Sequence, residues 1–187
     1  ILKAGNVTLN DIDSLAIGQI VASGNLAVTA NGSVTSGGSV TTSGDVTITA
    51  ASTITVSNAM TASGSTVTLD STGGVVVGGG TITAGIVDLT AATGIGTTTA
   101  LSLAAASISA DSTAGKINLA NALATAVTVE SLTSKGLSDP SGPLLTFSQS
   151  GGGTVTFNNV SSVGSDPGSG WGVITLVNAG GGITIAN

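Results

Sequence analysis

Cysteine, histidine and tyrosine are absent from this 187-residue chain, which has one methionine, one tryptophan, two phenylalanines and three prolines. Without cysteine there are no disulfides, thiol nucleophiles or thiolate metal sites, and without histidine the usual general base and the commonest transition-metal ligand are missing. Charge is equally scarce. Only 6% of residues are charged, against about a quarter in an average globular domain. The basic residues are Lys3, Lys116 and Lys135, with no arginine, so no basic stripe can neutralise phosphates and nucleic acid is not an expected partner. No apolar run approaches the ~18 residues of a transmembrane helix. A membrane barrel would need strands of about ten residues with aromatic girdles, whereas Phe147, Phe157 and Trp171 all fall in the last third. The first residue is Ile1, so a secretory signal is expected to lie outside this sequence, which reads as a mature or excised segment.

What is present is 29 glycines, 41% hydrophobic residues, a net charge of -6 and a mean hydropathy of +0.56. Disorder goes with low hydrophobicity and high net charge, so this chain is expected to fold. A single motif recurs along it, a turn residue followed by an apolar-polar-apolar triplet rich in Val, Thr, Ile and Leu. Its first apolar residues are Val7, Leu26, Val46, Val67, Val87, Ile108 and Val127, spaced by 19, 20, 21, 20, 21 and 19. Parallel series run Ile17, Val34, Ile54, Val75, Ile95, Ile117 and Ile20, Val40, Met60, Ile82, Leu101, Leu123.

Three short strands per twenty residues describe a coil with three sides. The alternation of Val46-Thr47-Ile48-Thr49 and the β-branched content favour strands. Residues 117–132 have helical propensity around Asn118-Leu119-Ala120, yet their apolar residues keep the repeat, so they too read as strands. Each coil can bury its inward side only against the next, strand pairing in parallel with strand about 4.8 Å away. The predicted fold is all-β, a right-handed parallel β-helix, that is, a three-sided β-solenoid with about 20 residues per coil. About nine coils would make a rod on the order of 40 to 45 Å long. A narrow bore explains the aromatic deficit, and tight corners explain the glycines.

Residues 1–133 are expected to be regular coils. Residues 134–187 are expected to continue the solenoid irregularly, with a small separate all-β domain as the alternative. The prolines Pro140, Pro143 and Pro167 lie there in loop-like segments. Those segments and the aromatics beside them are the expected place for specific contacts.

Three segments carry a resemblance: Ser23-Gly24-Asn25-Leu26-Ala27-Val28-Thr29-Ala30, Ser43-Gly44-Asp45-Val46-Thr47-Ile48-Thr49-Ala50 and Ser63-Gly64-Ser65-Thr66-Val67-Thr68-Leu69-Asp70. They resemble the repeats of filamentous-haemagglutinin-like exoproteins, long right-handed parallel β-helices exported by Gram-negative bacteria. The resemblance covers residues 4 to 133 and implies an extracellular, cell-surface protein concerned with attachment, cell-to-cell contact or biofilm structure. The Pro-containing last third departs from it.

The chemistry left to consider rests on carboxylates. Three residues after the first series stand Asn10, Thr29, Thr49, Asp70, Thr90, Asp111 and Glu130, which sets Asp111 and Glu130 on adjacent rungs of one outward corner. Such a pair suits a glycan-cleaving site or a hard cation, but neither aromatics nor basic residues accompany it, and a solvated pair is the simpler reading. Asp11 and Asp13 form a D-x-D that suits Ca²⁺, again without further acids close by. An outward column Thr8, Ala27, Thr47, Thr68, Asp88, Ser109, Thr128 suggests an ice-binding face, but Ala27 and Asp88 interrupt it. Glycine runs such as Gly78-Gly79-Gly80 lack the following Lys-Ser/Thr of a phosphate loop. The expectation is a non-enzymatic protein with no catalytic, metal or cofactor residues. Neither end of the sequence shows a polar cap, so the expected partners are flanking coils or further copies stacked end to end, and glycans or other cell surfaces.

Overall fold

The computed structural model describes residues 1–135, 144–163 and 172–186, in which every strand pairing is parallel and, among the described residues, there is no helix. The strands stack as a β-solenoid on three sides. One side holds β2 (Val7–Asp11), β5 (Leu26–Ala30), β8 (Val46–Ala50), the second halves of β10 (Met60–Ser71), β12 (Thr81–Ala91) and β13 (Leu101–Ser112), then β15 (Val127–Lys135), β17 (Val155–Phe157) and β20 (Ile183–Ile185). A second side holds β3 (Leu15–Ile17), β6 (Val34–Ser36), β9 (Ile54–Val56) and β11 (Val76–Val77). The third holds β1 (Leu2–Ala4), β4 (Ile20–Ala22), β7 (Val40–Thr42), the first halves of β10, β12 and β13, then β14 (Ile117–Asn121), β16 (Leu145–Gln149) and β19 (Ile174–Asn178).

The inward side chains form the aliphatic columns that the repeat demands. Val7, Leu26, Val46, Val67, Val87, Ile108, Val129 and Phe157 sit one above another, none more than 6% exposed. Burying each such side chain stabilises by about 1.5–3 kcal/mol, and it is obtained only when the neighbouring coil is in place. Along this column the chain advances by 19, 20, 21, 20, 21 and 21 residues, then twice by 28.

Register corrects several members of the predicted series. Val34 lies opposite Leu15 rather than Ile17, Ile82 opposite Leu103 rather than Leu101, and Ile108 opposite Val129 rather than Val127. In each case the two candidates are two residues apart and both face inward, so periodicity alone cannot choose between them. Ile54 pairs with Val76 rather than Val75, because Gly73-Gly74 lengthens the preceding corner and changes which residue faces in. Leu123 does not lie in a strand, and the residue level with Leu103 is Asn121.

The change from 21 to 28 residues per turn falls where residues 136–143 and 164–171 lie, outside the described residues; the expected proline loops are among them. Lys135 and Val163, the residues that precede the two segments in the chain, pair in register on β15 and β18 (Val160–Val163). A second repeat is visible once this register is known. Both segments contain Ser-Asp-Pro, and both turns contain a triple glycine at 151–153 and 180–182. The two glycine corners stack directly, Gly180 on Gly152 and Gly181 on Gly153, too closely for any side chain. β16, β17, β19 and β20 then continue the parallel ladders begun by β14 and β15.

Candidate functional site

Three carboxylates gather on the outward surface of the first side. Register sets Thr68, Asp88 and Ser109 in one column and Asp70, Thr90 and Asp111 in the next, so Asp70, Asp88 and Asp111 occupy three successive rungs with Asp88 in the middle. Partial burial raises the Asp88 carboxyl above its ordinary value, and the negative charges of Asp111 and then Asp70 raise it further. A flat strand surface holds these acids apart from any convergent donor set. No group of three or more His, Cys, Asp or Glu is placed to hold a metal ion among the described residues.

The expected stacking of Asp111 and Glu130 does not occur. Ile108 pairs with Val129 and Ser109 with Ser131, which leaves Glu130 as the extra residue of a bulge, and the residue level with Asp111 is Thr133. Two residues of this displacement come from Val129 rather than Val127 standing opposite Ile108, and one from the bulge; fixed spacing from the first series anticipates neither. Glu130 instead accepts a hydrogen bond from Asn158 Nδ2 at 2.6 Å, one turn further on. Asp11 and Asp13 also have a local role: the Asp13 N–H donates to Asp11 Oδ1 at 2.7 Å, a carboxylate closing its own turn. The Thr-bearing surface is interrupted by Ala27, Asp70, Asp88 and Asp111. Phe147 and Phe157, expected near a contact surface, are fully buried and meet edge to face with centroids 5.3 Å apart. The lengthened turns thus hold both phenylalanines inside; Trp171 lies outside the described residues.

Two side-chain ladders were missed by sequence reasoning. On one corner, the side-chain oxygen of each turn accepts the backbone N–H of the next: Asn25 N–H to Asn6 Oδ1 at 2.9 Å, Asp45 N–H to Asn25 Oδ1 at 3.0 Å and Thr66 N–H to Asp45 Oδ1 at 2.9 Å. This gives the Ser-Gly-Asn/Asp motif a physical cause. A methyl group at Gly24 or Gly44 would overlap Asn6 Oδ1 or Asn25 Oδ1 of the turn before, so the glycine keeps room for the ladder oxygen. The signal was available in the sequence as an Asx residue immediately before each of three first-series residues.

The second ladder is internal. β14 turns away after Asn121, and the Asn121 carboxamide takes over the pairing of Ala105 on the turn before. Ala105 N–H donates to Asn121 Oδ1 at 2.9 Å, and Asn121 Nδ2 donates to Ala105 O at 3.0 Å, as a backbone peptide would. Asn121 Nδ2 also donates to Gln149 Oε1 at 2.9 Å, and Gln149 Nε2 reaches Leu123 O. Both amides are 1% exposed, where an unpaired polar group would be costly. Asn178, level with Gln149, turns its Nδ2 to Gly153 O at 2.8 Å and Gly182 O at 3.0 Å.

Chemically, these groups hold turns in register and present a hydroxyl-rich, weakly acidic outer surface. The model of a family described as "Repeats of unknown function (DUF5649)" matches residues 4–69. That span covers the first four rungs and the Asn6–Thr66 ladder. No curated protein and no solved structure matches the chain.

Proposed function

We propose that the chain is a non-enzymatic structural or adhesive segment, a rigid β-solenoid stalk or adhesive surface in a large secreted or surface-attached protein, of the kind exported to the surface of Gram-negative bacteria. The observation that carries this reading is the unbroken parallel ladder of nine strands from β2 to β20, with aliphatic columns inside and Thr, Ser and few charges outside. Such a ladder spends its sequence on length and stiffness. Lack of histidine and cysteine removes the residues most used for nucleophilic and acid–base chemistry, and the carboxylates among the described residues serve turns, a bulge or an open surface. The partners proposed are flanking coils, glycans and other cell surfaces.

A second reading is a self-assembling subunit of an extracellular filament or sheath, favoured by the scarcity of charge: with only 6% charged residues, copies have little electrostatic repulsion to keep them apart.

The test is antibody labelling and protease shaving of intact producing cells, paired with an attachment assay of cells lacking the segment. The proposal expects surface labelling and reduced attachment. Retention in the cytosolic fraction contradicts it. Electron microscopy of the purified chain separates the two readings, since fibres that lengthen with concentration favour the filament.

A further inference from the structure

The residues that follow the first-side strands stand level with one another at the corner leading to the second side: Asn31, Ala51, Thr72, Ala92 and Thr113. Each donates its backbone N–H to a carbonyl of the turn before, at 2.9–3.2 Å. The corner thus requires a backbone donor at this place and no particular side chain, and alanine, threonine and asparagine all serve. Asn31 is exposed, and it is the chain's one asparagine followed by glycine.

Asn-Gly is a reactive pair. A deprotonated backbone nitrogen attacks the carboxamide of the residue before it, and glycine has no Cβ to obstruct that approach. A bond from Gly32 N to Asn31 Cγ forms as the Cγ–Nδ2 bond breaks, and Nδ2 leaves as ammonia with the proton that Gly32 gave up. Water then opens the cyclic imide at either carbonyl carbon. Cleavage at Cγ leaves an aspartate, whereas cleavage at the backbone carbonyl leaves an isoaspartate, in which the side-chain methylene has become part of the main chain.

The fold holds this nitrogen in place. Asn31 N–H donates to Asp11 O at 3.2 Å, Gly32 N–H to Asp13 O at 2.6 Å and Ser33 N–H to Ser14 Oγ at 2.9 Å, successive amides all bound to the turn before. From the turn after, Ser52 N–H donates to Gly32 O at 3.2 Å. Gly32 lies so close to the Asp13 peptide that a methyl group would overlap it. We propose that Asn31 is a site of spontaneous deamidation through Gly32, and that closure of this corner onto residues 11–14 confines the reaction to chains in which the turn is open. An isoaspartate lengthens the main chain by a methylene between the bond to Asp11 and the bond to Asp13, where the stack has no room for it. A chain modified before this turn closes therefore cannot close it in register.

The experiment incubates the full chain in mildly alkaline buffer, native and unfolded in guanidinium chloride, and follows each asparagine by peptide mass spectrometry with enzymatic detection of isoaspartate. In the unfolded chain, residue 31 is expected to convert ahead of every other asparagine. The native chain should convert there about tenfold more slowly or less, because a reaction that needs the open turn proceeds in proportion to the open fraction. Ser14→Ala, which removes the acceptor of the Ser33 amide, should raise the native rate by about twofold to tenfold, the worth of one hydrogen bond, and leave the unfolded rate unchanged. Denaturant below the unfolding transition should speed conversion and hydrogen exchange of the Gly32 amide in parallel, a readout on the parent chain that does not depend on how the variant folds. Refolded isoaspartyl chain should melt at a lower temperature than Asn31→Asp, which keeps the main-chain length. Equal native and unfolded rates, earlier conversion of a different asparagine in the unfolded chain, a native rate that does not follow opening of the Gly32 amide, or an isoaspartyl chain as stable as Asn31→Asp would each overturn the proposal.

Discussion

Asn121→Ala is the substitution that tests most sharply how the turns are held together inside. It strands three buried groups at once: the Ala105 N–H, the Ala105 C=O and Gln149 Oε1, which Asn121 meets at 2.9, 3.0 and 2.9 Å. An unsatisfied buried group costs about 1–3 kcal/mol, and single substitutions rarely exceed 4–5 kcal/mol because surroundings relax, so a loss of about 3–5 kcal/mol is expected. That is a large part of the 5–15 kcal/mol typical of a domain. The assay is urea unfolding followed by circular dichroism, with amide hydrogen exchange read at Ala105. At about 1.4 kcal/mol per tenfold, exchange there should quicken by a hundredfold or more, while Ser109→Ala on the outer surface should stay within about 0.5 kcal/mol. If Asn121→Ala costs less than about 1 kcal/mol and leaves the Ala105 amide protected, the carboxamide is not replacing a backbone partner and the reasoning fails.

Other outcomes follow from the same geometry. Gly44→Ala should displace Asn25 Oδ1 and cost about 1–3 kcal/mol, and a double-mutant cycle with Asn25→Ala should reveal coupling between the two in thermal melts. Phe157→Ala, which empties an interior shared with Phe147, should cost about 3–5 kcal/mol by the same denaturation assay. The raised carboxyl of Asp88 means that the folded chain holds a proton the unfolded chain has lost. The stability linked to it is fully present below the unfolded carboxylate value and lost as pH rises through the raised folded value. Asp88→Asn should therefore be the more stable protein at neutral pH and show a flatter stability profile across the acid range, measured as melting temperature against pH.

The architecture was legible because a solenoid repeats one instruction many times. Val46-Thr47-Ile48-Thr49 says strand on its own, but seven such segments at near-equal spacing also say what each pairs with. Errors entered wherever the chain offered two inward residues, as at Leu15 and Ile17 or Leu101 and Leu103, since both satisfy the period. The bulge at Glu130 was illegible for a different reason: it is a property of two turns together. The carboxylate pair that spacing had suggested was already undone by the two-residue displacement that sets Val129 rather than Val127 opposite Ile108, and the bulge adds one residue more. The 28-residue repeat escaped because it is represented by only two turns, too few to stand out against a twenty-residue rhythm. Asx ladders escaped because Asn6, Asn25 and Asp45 read individually as ordinary turn residues, and only the stack shows that each serves the turn after it.

The most direct test of the stacked-turn account uses the absence of cysteine, which makes paired labelling clean. Thr8 and Ser109 are five rungs apart in one outward column, and Thr66 and Thr184 are five rungs apart in another. Spin labels on the double-cysteine variants Thr8→Cys/Ser109→Cys and Thr66→Cys/Thr184→Cys should give the same narrow distance by electron–electron resonance, about 24 Å at 4.8 Å per rung. Thr66→Cys/Thr128→Cys, three rungs apart, should give about 14 Å. Distances that are broad, or that grow with sequence separation instead of rung number, would contradict a rigid solenoid and with it the stalk.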